Sequence, residues 1–413
     1  MKKLFQNSTW EYLFILLGMT LPFGPALPNL AIGLIGLVWL IQLLMGKCRM
    51  DRSHWIAFFI LSAYTFYCVS TYWYSENHGY FWKKAGLQLL IPLLAMVCLS
   101  IPFRASGRSV RRVLRAFIFS LALLAVLSLG KQIWSVISEE SSSWSLLLFD
   151  QLASAVGSIH YLTLSLYTCF AIAAGFYLLF LDGTAWRPDR YRRIIRVCMF
   201  LLTVFLFLLG SRIAIVTAIA LVLIILSIQA RRAGKYMTLI SAIAILGVLT
   251  AITLTSETMQ DKWKEVYQFE DDSSGSGYWG GTGMRVLIWD CAWKVIQNNP
   301  VLGVGMGDDL DQMTLCYRVY SRNQLLVEGN SFHAHNIFLQ AWVRSGIIGL
   351  LLLMGSLVWT IVYSVRYQNP VYLLFIATFV LLGMTESFFQ INAGVLFFAF
   401  FSAFLFCYKF RSE

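Results

Sequence analysis

Two arginines and a pair of histidines stand where a strongly apolar chain has little structural reason to keep them. Arg212 lies between Leu206-Phe207-Leu208-Leu209-Gly210-Ser211 and Ile213-Ala214-Ile215. A cation at such a membrane boundary is costly unless it finds an anion, and Gly210-Ser211 allows a tight turn close to a headgroup. Arg285 opens the run Met284-Arg285-Val286-Leu287-Ile288-Trp289, which the pattern predicts as a helix ending near Asn299-Pro300. In a first helical turn the macrodipole disfavours a structural cation, whereas free N–H groups favour a bound anion such as phosphate. His333 and His335, two of five histidines, sit two residues apart where a long polar segment meets an apolar helix. Side chains at that spacing point to different faces of a helix, so the two imidazoles cannot serve one site from one helix. Guanidiniums that can clamp phosphate oxygens, beside an imidazole that can take a proton, suit displacement at a phosphate-bearing centre.

Other polar clusters carry less. Asp309-Leu310-Asp311 is the DxD arrangement used by metal-dependent glycosyltransferases. Acidic residues also belong in a first helical turn, and the favoured reading is an exposed helix start, with no metal site. The eight cysteines show no CxxC and no zinc spacing. Six fall in or beside apolar runs and read as packing residues. Cys291 and Cys316 fall in the polar segment, where a disulfide bracing the Gly303–Gly307 turn and two free thiols are the alternatives.

The elements that must position these residues are membrane helices. The 413 residues are 58% hydrophobic and 13% charged, and apolar runs near twenty residues recur along the chain. An all-α polytopic membrane protein with about twelve transmembrane helices follows, since lipid leaves helices as the default spanning element. The expected spans are roughly 10–23, 29–45, 55–72, 87–101, 116–134, 161–181, 197–209, 213–228, 236–254, 337–363, 371–384 and 395–408. Residues 1–254 would hold the first nine, 255–334 a polar outer loop domain, and 335–413 the last three. Met1-Lys2-Lys3 resembles a signal n-region, but no small-residue cleavage site follows, so the first run reads as an uncleaved helix.

With both termini in the cytoplasm, about two thirds of the 32 Lys and Arg residues fall in cytoplasmic segments, as the positive-inside rule asks. The formal charge of +11 is then topology and not a nucleic-acid footprint. The same alternation puts the turn holding Lys83-Lys84, His160, the Arg212 turn, the long polar segment, the His335 helix start and Glu386 on one outer face, the periplasm of a bacterium with two membranes. Mid-span charge is expected to be nearly absent, and no internal repeat of the transporter kind is visible.

His335-Asn336, nine further residues and then Gly346-Ile347-Ile348-Gly349 resemble the signature of the bacterial O-antigen ligases, which share a superfamily with O-antigen polymerases and protein O-oligosaccharyltransferases. Asn299-Pro300-Val301-Leu302-Gly303-Val304-Gly305-Met306-Gly307 resembles the segment that follows the family's helix-opening arginine, although such glycines alone are weak evidence for a phosphate cradle. The resemblance implies a broadly glycosyltransferase-C-like fold with a helical periplasmic cap, in the bacterial inner membrane. It implies inverting, metal-independent transfer, without a cofactor, of O-polysaccharide from undecaprenyl diphosphate to lipid A–core oligosaccharide. Arg212 and Arg285 would hold the diphosphate, His335 would act as base, and Asn336 would stand at the substrate beside it. The N-terminal half resembles the family only in hydropathy, so Lys83, Lys84 and His160 are candidate substrate contacts by their expected side alone. An O-antigen polymerase is the nearest rival, the protein O-oligosaccharyltransferases being usually longer. A lipid-linked-glycan transporter is the rival from another class.

Overall fold

A computed structural model of the chain describes residues 7–103, 105–138, 149–156, 159–181, 189–233, 281–320 and 332–408. Every regular element among them is helical. In chain order these are α1 (Asn7–Thr20), α2 (Ala26–Leu44), α3 (Arg52–Ser70), α4 (His78–Gln88), α5 (Leu90–Ser100), α6 (Gly107–Ser138), α7 (Phe149–Ser154) and α8 (Tyr161–Phe180). They continue with α9 (Asp189–Leu209), α10 (Arg212–Ala233), α11 (Gly281–Asn298), α12 (Asp309–Tyr320), α13 (Ile337–Arg366), α14 (Pro370–Gly383) and α15 (Asn392–Phe406). Among the described residues seven segments are long and apolar enough to cross a membrane, and α14 and α15 are shorter apolar helices. Large apolar side chains such as Leu30, Leu44, Val197 and Phe200 point outward, as a lipid-facing surface requires. The chain is a polytopic membrane protein. The expected span 236–254 lies outside the described residues.

Two expectations need correcting. Lys83 and Lys84 were expected in a turn but lie on α4, which continues into α5 after a break at Leu89. Pro92 accounts for the break, because its ring opposes the carbonyl four residues back and it has no N–H to donate. Apolar segments also hold more buried charge than expected. Lys84 and Arg344, both inside candidate spans, are buried.

The bundle is centred on α8 and α15. Gly394 through Phe406 are all buried, and α15 packs on α5 and α14. Ring contacts between Tyr167 and Phe397 (4.7 Å) and between Phe170 and Phe401 (4.9 Å) join it to α8. Tyr167 satisfies its hydroxyl by donating to the Ala393 carbonyl at 2.7 Å.

α11 and α12 form a cap with a small core of its own, in which Ile288, Ala292, Met313 and Tyr317 meet Val343 of α13. What ties this cap to the bundle is a break in α13. Ser345 and Gly346 leave the helical region, Gly346 at φ +62°. The carbonyls freed by the break are taken up, Val343 O by Val304 N (2.9 Å) and Arg344 O by Gly305 N (2.8 Å). In return Ile347 N donates to Pro300 O at 2.9 Å. A break in an apolar helix is tolerated when its backbone groups find such partners. Gly303 and Gly346 face each other so closely that a Cβ on either would strike the other strand's backbone, and a Cβ on Gly349 would strike the Ser345 side chain. The spaced glycines are therefore a splice between cap and span.

Beneath the splice, Arg344 and Asp309 form a fully buried ion pair, with Arg344 Nε donating to Asp309 Oδ2 at 2.7 Å. Arg344 Nη2 also donates to Gln390 Oε1 at 2.6 Å, and Gln340 Nε2 to Asp309 Oδ2 at 2.8 Å. Removing one partner of such a pair typically costs about 3–5 kcal/mol.

Gly346→Ala should cost about 2–5 kcal/mol, from the left-handed backbone and the collision with the Val301 carbonyl. Gly355→Ala, in the same helix with open space around it, should melt at the wild-type temperature or slightly above. Thermal unfolding of the purified variants in detergent checks both; equal melting points would mean that the splice is not structural.

Candidate functional site

The segment 332–336 enters α13 pinned from several sides. Tyr317 donates its hydroxyl to Phe332 O at 3.1 Å, and Trp289 Nε1 donates to Ala334 O at 3.0 Å. Ala334 N donates to Gln340 Oε1 at 2.8 Å. Asn336 is the N-cap of α13: its Oδ1 accepts from Phe338 N (2.8 Å) and Leu339 N (3.1 Å), and its Nδ2 donates to Met384 O (2.9 Å). Its backbone N–H donates to Ser387 Oγ at 3.1 Å. Asn336 thus has a clear local task, which is to start the helix and fasten it to the turn after α14.

These bonds hold His335 at φ +45°, a left-handed conformation that is uncommon outside glycine. Such a residue costs about 1–3 kcal/mol and persists only where its surroundings fix it. Its imidazole Nδ1 meets Glu386 Oε1 at 3.0 Å and Oε2 at 3.1 Å. Arg285, the fifth residue of α11 and so one turn further in than the first-turn place expected of it, because the helix already starts at Gly281, donates Nη2 to the same Oε1 at 3.0 Å. The carboxylate is only 6% exposed, while the histidine keeps 25% and the arginine 28% of side-chain exposure. Burial alone would raise the Glu386 pKa. The hydrogen bond and charge of His335, with Arg285, outweigh it and hold the carboxyl below its ordinary value.

Two of the residues singled out in the sequence, Arg285 and His335, are therefore brought together, and the residue that joins them is one to which sequence reasoning assigned no role. Glu386 sits alone in a turn between two apolar helices. A lone acidic residue there, on the same expected face as His335, was the available signal.

The structure places the remaining candidates on α4, at the start of α8, on α10 and in the segment before α13. Arg212 is the first residue of α10, after Gly210 at φ +65°, on a helix packed against α8 and α14. Lys83 is exposed on α4. Lys84 is buried one residue on, with Nζ 3.3 Å from His333 Nε2 and donating to Gln390 O at 3.1 Å. His333 does point away from His335, into that second cluster. Burial, with Lys84 and Arg344 nearby, pushes its pKa well down, so it stays neutral. His160 is exposed at the N-cap of α8, its ring 4.7 Å from that of Tyr161.

The DxD carboxylates diverge. Asp309 is not the exposed helix start expected of it but the buried partner of Arg344. Asp311 accepts from Asn77 Nδ2 at 2.8 Å. The glycine segment after α11 spends its N–H groups on the protein: Met306 N donates to Thr71 Oγ1 (2.9 Å) and Gly307 N to Ser75 Oγ (3.2 Å). A polar cleft of about 510 Å³ lies between this loop and residues 74–77, away from Arg285 and His335. Cys291 and Cys316 are joined as a disulfide, Cα atoms 5.7 Å apart, bracing α11 against α12.

Residues 197–354 match the family model described as O-antigen ligase. The match includes Arg212, Arg285, His335 and the glycines of the splice. It leaves out Lys83, Lys84, His160 and Glu386. No curated protein is matched by the chain.

Because α11 carries Arg285, Cys291→Ser should both loosen the cap, by about 2–4 kcal/mol, and lower whatever activity the site supports. Mass spectrometry of non-reduced peptides should recover the Cys291–Cys316 pair, and two free thiols in protein purified without reductant would contradict the bridge.

Proposed function

We propose that this O-antigen ligase family domain, set in a multi-pass membrane protein, transfers O-polysaccharide from undecaprenyl diphosphate to a sugar hydroxyl of lipid A–core oligosaccharide. The observation that carries the reading is the meeting of Arg285 and His335 at one carboxylate, 50 residues apart in sequence. A phosphate-binding group and a proton acceptor thus share a site at the edge of an apolar bundle. The site faces the periplasm in this reading. The Cys291–Cys316 disulfide supports an oxidising compartment for the cap.

The donor's diphosphate is already a good leaving group, so the step asks chiefly for neutralisation of the charge growing on it. Arg285 engages Glu386 through one nitrogen, leaving further N–H groups for phosphate oxygens, and Arg212 is the second cation of the clamp. The acceptor hydroxyl gives its proton to His335, its oxygen bonds the anomeric carbon, and the bond to the diphosphate oxygen breaks with the electron pair leaving on undecaprenyl diphosphate. Attack from the face opposite the diphosphate inverts that carbon. The prenyl chain lies along the apolar helices. Asn336, through the helix start it fixes, and the exposed Lys83 and His160 are assigned to the substrate-binding surroundings of this site, whereas the burial of Lys84 against Gln390 and His333 argues against such a contact for it.

An O-antigen polymerase would use the same groups with a second lipid-linked unit as acceptor, and the family match is compatible with both readings. A transporter reading would draw on the buried cations Lys84 and Arg344. Both are bonded to protein acceptors, Arg344 to Asp309, which supports a structural task for them.

Arg212→Ala and Arg285→Ala should each lower transfer ~100-fold or more, since one charged donor at a developing oxyanion is worth on the order of 3 kcal/mol. Arg→Lys at either position should also be poor, a point charge being no substitute for the planar fork. His335→Ala should lose transfer while retaining the donor. Purified variants assayed on lipid A–core, with and without EDTA, test the scheme: wild-type rates in an arginine variant, or dependence on a divalent metal, would overturn it. In cells, loss of the protein should leave long polymer on the lipid carrier; single units attached to core would instead identify a polymerase.

A further inference from the structure

We propose that Glu386 is a positioning residue for the transfer step: it fixes the His335 ring so that Nε2 faces the acceptor hydroxyl, with Arg285 fastened to the same oxygen. This inference rests on the reading of His335 as base.

The geometry leaves little choice of tautomer. An ionised carboxylate can only accept hydrogen bonds, and both Glu386 oxygens lie within 3.1 Å of His335 Nδ1. Nδ1 therefore carries a hydrogen and donates it, and in the neutral ring Nε2 is left with the lone pair. That is the nitrogen directed away from the buried carboxylate. A proton taken there makes an imidazolium, whose positive charge Glu386 then stabilises across the contact already in place. Arg285 supplies the counter-charge that keeps so enclosed a carboxylate ionised before the proton arrives.

A purely structural ion pair would place its groups differently. Here the acid is buried while both of its partners keep about a quarter of their surface open, so the cluster points outward from a fixed anion. His335 is also held in a left-handed backbone conformation, and Ser387 and Met384, the neighbours of Glu386, take the bonds of Asn336 that hold it there. Ring, backbone and carboxylate are thus set by one turn, residues 384–387. That turn lies beyond the matched stretch 197–354, so the site is completed by a part of the chain outside it.

The test is a double-mutant cycle on purified full-length protein, measuring transfer from lipid-linked O-polysaccharide to lipid A–core. Glu386→Gln keeps the shape and removes the charge. It should lower kcat at least ~10-fold, up to the ~10⁴-fold lost when the carboxylate behind a general-base histidine is replaced by its amide. Added to His335→Ala it should cost at most about threefold more, because the ring it positions is gone. Glu386→Asp, which retains the charge on a shorter arm, should be more active than Glu386→Gln. Melting temperatures of all variants separate misfolding from lost positioning. Wild-type kcat in Glu386→Gln, independent multiplying losses in the double variant, or an Asp variant no better than Gln would each overturn the proposal. An active His335→Ala enzyme would instead sink the assignment of the base, whatever Glu386 does.

Discussion

A helix in lipid cannot be interrupted unless the backbone groups released by the interruption find partners. In α13 that demand is met by the loop following α11. Val304 and Gly305 donate to the carbonyls of Val343 and Arg344, and the Pro300 carbonyl receives Ile347. The bonds act in both directions. They make the kink at Ser345-Gly346 affordable, and they fix the cap to the first third of a long apolar helix. Because that third ends at Asn336 and His335, the depth and orientation of the imidazole are set by a splice some ten residues away. The buried Arg344–Asp309 pair closes the same joint from beneath.

The joint explains how a hydrophobic bundle can present a polar cluster at its edge. α11 leaves its core side to Ile288, Ala292 and Val295 and turns Arg285 towards the turn after α14. α13 brings His335 to the same turn. Neither helix reaches the other's functional residue directly. Glu386, enclosed by the bundle, is the point at which they meet, and His335 with Arg285 offsets the burial that would otherwise raise its pKa.

Much of this was legible in the sequence, for reasons that can be stated residue by residue. Apolar length gave away the helices, since twenty-residue runs have few other uses. Arg285 stood out as a cation near a helix start, although α11 begins at Gly281 and sets it beyond the first turn. His333 and His335 do part, but on the non-helical stretch before α13, where Lys84 meets one ring and Glu386 the other. What stayed hidden depended on contacts across the fold. The glycines of Gly303–Gly307 and Gly346–Gly349 looked like a phosphate cradle or a family signature, and only their facing backbones show a splice. Asp309 looked like a solvated helix start because its partner, Arg344, lies 35 residues on. Glu386 looked like a turn residue, for the same reason: one carboxylate gives no pattern until its partners arrive. Lys84 was assigned to a turn because its helix begins before the apolar run that marks α5.

The proposal on which the account rests is that Arg285, His335 and Arg212 act together on a lipid-linked diphosphate. The most direct measurement is a cryo-electron microscopy structure of the protein in nanodiscs loaded with undecaprenyl diphosphate. The account predicts diphosphate density within hydrogen-bonding distance of both the Arg212 and Arg285 guanidiniums, His335 still on Glu386, and the prenyl chain along the apolar helices. Diphosphate bound instead in the polar cleft between residues 74–77 and 299–312, or against Lys83 with the two arginines untouched, would contradict it.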